Sequence, residues 1–168
     1  METIALYKEE RIKVYGITRE SDLILIVLSF PANQLELWGQ RIDEISNHTQ
    51  RFELVTYHAA NKSRTELHVL IDQKTVDPLN KLLIHWKENT AQTGLKFKQP
   101  VDILYLHGPH FQDRYGIADT AFNALLHNNI EILVSGCAGT SMYMVTPALQ
   151  GQLALEILTE TFLIPNSG

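Results

Sequence analysis

Cysteine is almost missing from this chain. Of its 168 residues only Cys137 carries a thiol, so an intrachain disulfide is excluded and a cytoplasmic setting is the expectation. Long apolar runs are missing as well. The longest, Leu23 to Leu28, falls far short of the roughly 20 residues that cross a bilayer. The N-terminus carries Glu2, Lys8, Glu9, Glu10, Arg11 and Lys13, too many charges for the apolar stretch of a signal peptide. A soluble protein with no membrane partner is therefore expected. Positive charge is in deficit, with 14 basic against 19 acidic residues and a net charge of -5. Such a balance gives little attraction to nucleic acid, and none is expected as a partner. No glycine-rich loop precedes a Lys and a Ser or Thr, so the sequence has no phosphate cradle of that kind.

What is present is an ordinary globular composition, 45% apolar and 20% charged, with enough apolar surface to offset chain entropy. Reactive groups are sparse. His107 and His110 are spaced H-x-x-H, but no second cluster of Cys, His or carboxylates accompanies them. Packing or loop histidines are expected there, and neither a metal nor another cofactor. Cys137 lies in a run of small residues. It serves as a nucleophile only if a base stands beside it; otherwise it fills space. Lys96 and Lys98 flank Phe97 as they would on an edge strand that deters aggregation. Asn61 to Arg64 reads as a solvated hairpin tip.

Periodicity gives the elements. Ile12, Val14 and Gly16 alternate and predict a first strand over about 11–17. Leu23 to Leu28 reads as a buried strand, with Pro31 ending it. Leu35, Trp38, Ile42 and Ile45 form a helical stripe. Phe52 to Tyr57 and Leu67, Val69, Ile71 predict two strands around turn residues 61–63. Val76, Leu79, Leu83 and Trp86 make a second stripe, with Thr75 or Asp77 as its cap. The polar stretch 89–99 reads as a linker or short edge strand. The plan then starts again. Val101 to Leu106 is a strand, Ala118, Ala121, Phe122 and Leu125 a helix, and Ile130 to Val134 a strand. Ser135 to Gly139 reads as a turn and Ser141 to Val145 as a strand. Leu149, Leu153 and Ile157, beside Ala154, Leu158 and Phe162, form a last helix.

Leu25 and Ile103 lie 78 residues apart, and so do Phe52 and Ile130. This spacing points to duplication of one plan. A βαββαβ plan places helices on one face of an antiparallel sheet. The strands at 23–28 and 101–106 are apolar on both faces, so the second face is expected to be covered by the sister module or another subunit.

The second half carries a family resemblance. Gly108, Phe111, the run Gly116-Ile-Ala-Asp-Thr-Ala-Phe-Asn-Ala-Leu125 and the run His127-Asn-Asn-Ile-Glu-Ile-Leu-Val-Ser135 resemble the C-terminal ACT module of aspartate kinase. Ala154 to Leu163 resembles that family's last helix. Ile12 to Ile17 resembles the family's entry strand, and Phe52 to Tyr57 the middle strand of its first module. The resemblance implies an α+β fold of tandem ferredoxin-like βαββαβ ACT modules, antiparallel sheets with helices on one face. It implies a first module over 18–99 and a second over 100–168 completed by the N-terminal strand 11–17. The kinase part has no counterpart, so a non-catalytic regulatory protein is implied. Its partners would be a small amino-acid effector such as lysine or threonine, a second copy in a homodimer, and an aspartate kinase catalytic subunit. The implied ligand-binding residues are Gln112, Asp113, Gly116, Ile117, Asn129 and Ile130, with Asn33 and Gln34 in the first module. Phe30-Pro-Ala-Asn-Gln34 departs from the family's Asp-x-Pro-Gly, Tyr57 replaces a glutamine, and Ser135 to Ser141 replaces a Ser-Glu segment. These departures leave a ligand-free dimerisation module as the alternative.

Overall fold

The computed structural model describes residues 11–91, 93–109 and 116–165; the side chains of Pro78 and Gln99 are not described. The elements in chain order are β1 (Gly16–Pro31), α1 (Leu35–Ser46), β2 (Leu54–Ala59), β3 (Arg64–Asp72), α2 (Val76–Asn89), β4 (Gly94–His107), α3 (Ile117–His127), β5 (Val134–Ala138), β6 (Ser141–Pro147) and α4 (Ala148–Thr161). Among the described residues no helix is long and apolar enough to cross a membrane.

The chain forms two compact units, one of residues 21–101 and one of residues 1–20 with 102–168. It passes from one to the other inside β1 and returns inside β4. The unit of residues 21–101 reads strand, helix, two strands, helix, strand, in the lateral order β2-β3-β1-β4. β3 pairs antiparallel with β1, Leu25 opposite Leu70, and with β2, Tyr57 opposite Leu67. The other unit repeats this order with β5, β6, β4 and the start of β1, β5 pairing antiparallel with β6. Each unit is ferredoxin-like, and Gly94 opens β4 78 residues after Gly16 opens β1.

Each unit has its own core. In residues 21–101, Ile24, Ile26, Leu28 and Phe30 of β1 and Leu67, Val69 and Ile71 of β3 pack with Trp38 and Ile45 of α1 and Leu79, Leu83 and Trp86 of α2. Phe30 stacks on Trp38 at 5.0 Å, and Trp38 meets Trp86 edge-on at 5.9 Å. The Arg41 guanidinium lies 4.5 Å from the Trp38 ring centroid and 5.1 Å from that of Trp86. Burial lowers the Arg41 pKa, opposed by the nearby Glu44 carboxylate. Leu23, Leu25 and Leu70 are buried as well, so both faces of β1 lie out of water over residues 23–26. In the other unit Leu104, Leu106, Ile117, Ala121, Leu125, Met142, Met144, Ala154, Leu158 and Phe162 make the core.

The structure departs from the sequence reading in several places. The strand expected over 11–17 begins only at Gly16. Before it, Lys13 makes a single parallel bridge to Leu163, with Val14 N donating to Leu163 O and Leu163 N to Ile12 O. This contact seats Val14 in the core. The stretch 89–99 is largely strand, because β4 starts at Gly94. The strand expected over 130–134 starts at Val134, since Ile130 is used to close α3. The small residues 135–138 are strand rather than turn. Gly136 stands opposite Tyr143, and a Cβ there would meet the Tyr143 ring. On α4 the inward residues are Gly151, Ala154 and Leu158, whereas Leu149 and Leu153 face water. On α1, Leu35 is exposed. Thr75 makes no side-chain cap to α2; Asp72 instead accepts from Lys74 N in the 3-10 turn just before it.

Gly151 is fixed by a charge. Asp102 is buried on β4 and its carboxylate pairs with Arg19 at 3.2 Å. A Cβ on Gly151 would come within 2.6 Å of Asp102 Cγ and 2.8 Å of its Cβ. Gly151→Ala should therefore lower stability by about 1–3 kcal/mol, read as a lower urea midpoint at unchanged m-value. Gly39→Ala, on exposed α1 surface with nothing within 4 Å, should raise stability by about 0.4–1 kcal/mol in the same assay.

Candidate functional site

The nominated residues that the structure describes lie at helix ends. Gly116 is the N-cap of α3, with φ 90, a left-handed conformation that glycine adopts without a Cβ penalty. Glycine brings no side chain of its own to cap this end, where the helix dipole is positive. Ile117 follows at once and is buried in the core. Gly108 approaches it so closely that a Cβ there would meet Ile117 Cδ1 at 3.4 Å. Gln112 and Asp113 lie outside the described residues.

Asn129 and Ile130 lie at the opposite end of the same helix. Asn129 takes φ 56, and its N–H donates to Leu126 O while Ile130 N donates to Leu125 O, at 3.0 Å each. This paired closure is a Schellman turn, with Asn at the position that requires a left-handed residue. Ile130 is the apolar residue that closes the turn and is buried. Gln150 braces the segment; its Oε1 accepts from Glu131 N at 2.8 Å and its Nε2 donates to Asn129 O at 3.4 Å. An 11-residue helix is about 16 Å long. Within one chain, Gly116 and Asn129 therefore cannot touch the same small molecule.

In the other unit, Asn33 and Gln34 form the 3-10 turn that leads into α1. Asn33 is exposed and lines a shallow hollow of ≈ 510 Å³ with Pro31, Ala32, Lys62, Ser63 and Arg64. Asn61 Oδ1 accepts from Ser63 N and Arg64 N, which fixes the hairpin tip beside it. Arg64 is largely committed, donating to Ser29 O at 2.9 Å and to Ser29 Oγ. Lys62 is exposed on the rim. Gln34 Nε2 donates to Ala91 O at 3.4 Å. Its Oε1, Trp38 Nε1 and Arg41 Nη1 follow one another along a stripe of α1, buried without hydrogen-bond partners. A second polar hollow of ≈ 860 Å³ is lined by residues that include Asn47, His48, Arg51, Glu53, Asp72 and Lys74.

Sequence reasoning did not single out Lys62 or Gln150 for these sites. Lys62 was legible only as a hairpin charge. Gln150 reaches Asn129 from α4, a contact that no local spacing encodes.

Among the described residues, His107 and Cys137 are each engaged separately. His107 Nδ1 bonds to Ser141 Oγ at 2.8 Å, and Cys137 stands opposite Met142. Cys137 is exposed, yet partial loss of solvent pushes its thiol pKa up, away from the thiolate that nucleophilic chemistry needs. His110 lies outside the described residues.

If Asn129 serves only the backbone turn, Asn129→Gly should leave thermal stability within a few tenths of a kcal/mol, whereas Asn129→Ala should lower it by about 1–2 kcal/mol. A calorimetric comparison of the two variants checks this.

No protein-family model and no curated protein matches the sequence. Solved structures do match. The regulatory subunit of aspartate kinase from Thermus thermophilus, in a ligand-free form, is 12% identical, covers 89% of this chain and 99% of its own, and has a TM-score of 0.72. Aspartate kinase from Synechocystis is 13% identical over 95% of this chain and 28% of its own, with a TM-score of 0.79. E. coli aspartokinase III in complex with lysine and aspartate (T-state) is 15% identical over 93% of this chain and 35% of its own, with a TM-score of 0.61. The fold of this chain is thus the tandem ferredoxin-like ACT fold seen in the aspartate kinase regulatory region.

Proposed function

We propose that this protein is a non-catalytic regulatory module that binds a small amino acid and passes the occupancy of its site to a partner aspartate kinase catalytic subunit. The observation that carries the reading is the likeness to a separate regulatory subunit over 99% of that subunit's length. The lysine named with the E. coli enzyme makes lysine the first effector to try, with threonine second.

The physical case rests on what a zwitterion needs. A carboxylate suits the N–H groups of a helix start such as that of α3, and an ammonium needs carbonyl or amide oxygens. Gly116 lets a ligand approach the backbone closely. Because Asn129 and Ile130 stand about 16 Å away along α3, the proposed site takes Gly116 and Ile117 from one copy and the 129–130 turn from a second, in a homodimer. The first-unit loop at Asn33 and Gln34 is the weaker candidate, since Gln34 is tied to Ala91 and Arg64 to Ser29. Those internal ties favour a second reading, in which the chain is a ligand-free ACT-like dimerisation module.

A thermal-shift series with free amino acids separates the two. Lysine or threonine at 100-fold excess over its dissociation constant should stabilise the fold by about 2.7 kcal/mol. Asn129→Gly should reduce the shift without changing the ligand-free midpoint. A tight dimer by sedimentation that no amino acid stabilises would overturn the sensing role and leave the structural one.

A further inference from the structure

The unit of residues 21–101 holds a cluster that the regulatory reading does not use. In β3, Leu67, Val69 and Ile71 point into the core beneath α1 and α2. Glu66 and His68 alternate with them and so occupy the other face of the sheet. His58 of β2 stands directly opposite Glu66 in the antiparallel register, on that same face, and His68 is the diagonal neighbour. The three side chains converge. His58 Nε2 lies 3.6 Å from Glu66 Oε2, and His68 Nε2 lies 3.8 Å from the same oxygen. One ligand atom from each residue falls within 4.8 Å of the others, and the two imidazole centroids are 4.8 Å apart.

We propose that His58, Glu66 and His68 form a binding site for a divalent transition-metal cation of the zinc class, on the sheet face turned away from α1 and α2. Tetrahedral zinc with bonds of 2.0–2.2 Å sets neighbouring donors about 3.4 Å apart. Two of the donor separations already lie within about half an ångström of that value, and a small rotation of half-exposed His58 closes the third. Two imidazoles and one carboxylate make a donor set that zinc, cobalt and nickel accept and that magnesium and calcium, which take oxygen ligands, do not.

His68 is the buried member of the cluster, and its Nε2 stands 3.8 Å from Glu66 Oε2, beyond hydrogen-bond range, so a cation between them would bridge the two. Burial first, then His58, lowers the His68 pKa, while Glu66 opposes them. Three protein ligands leave a fourth position open on the His58 side, which faces water. That is the pattern of a site that takes an exchangeable ligand rather than a closed structural one.

Cobalt(II) titration of the full, metal-stripped chain tests the site, because tetrahedral cobalt gives intense visible bands. One equivalent per chain should generate these bands, and one equivalent of zinc should abolish them; magnesium and calcium at the same excess should not. His58→Ala, at an exposed position that should fold normally, and Glu66→Gln should each weaken binding at least tenfold. Thermal unfolding of each metal-free variant should match that of the parent. Bands that fail to appear at one equivalent, or that persist in both variants, would overturn the proposal.

Discussion

The fold depends on one contact, made twice: the apolar stripes of two helices pressed on one face of a sheet. Every other feature follows from the positions this contact fixes. In residues 21–101 its centre is Trp38, sealed between Phe30, Trp86 and the core aliphatics. Each such fully buried side chain contributes about 1.5–3 kcal/mol against exposure, so sliding a helix past its strands would forfeit several contributions together. The helix ends are then not free to choose where they fall. Asn129 must turn left-handed because Leu125 and Ile130 are both held in the core. Gly116 must open α3 because Ile117 is held there too.

How much of this was legible in the sequence follows from the same contact. Stripes such as Leu79, Leu83 and Trp86, or alternations such as Leu67, Val69 and Ile71, are set by burial against one partner, and they read correctly. Misreadings arose where burial was set by something non-local. Leu149 and Leu153 look like core at helical spacing, but α4 turns Gly151 inward because the buried Asp102 carboxylate on β4, paired with Arg19, needs the room. Residues 135–138 look like a turn because they are small, yet Gly136 is small to admit Tyr143 from the next strand. The nominated ligand residues came from resemblance rather than from spacing. Their arrangement at the two ends of α3 could not be read without the Schellman closure at Asn129. The cluster of His58, Glu66 and His68 was hidden for a related reason. It exists only in one hairpin register, and a slip of one residue would set Glu66 beside Tyr57.

The polar groups of the fold separate into those that close the chain and those left over. Asn61, Asp72 and Gln150 satisfy turns, caps and helix exits. Arg41 and Arg64 are drawn into packing on Trp38 and Trp86 and into bonds to Ser29. An active site needs a nucleophile, a base and a group to orient them. Here His107 bonds to Ser141, and the raised thiol of Cys137 lies opposite a methionine. Among the described residues these groups do not converge on one another.

On the proposed reading, the length of α3 has a thermodynamic consequence. A free amino acid spans only a few ångströms, whereas the two ends of α3 are separated by about 16 Å. A ligand that contacts both kinds of residue must therefore join two chains. Binding and association then share one free energy, and linkage makes each strengthen the other by the same factor, typically about 5–150-fold. Occupancy need not reshape either core to be transmitted, because it changes how firmly two copies hold together. A partner enzyme that gripped the associated form better than the separated one would sense the amino acid without ever touching it.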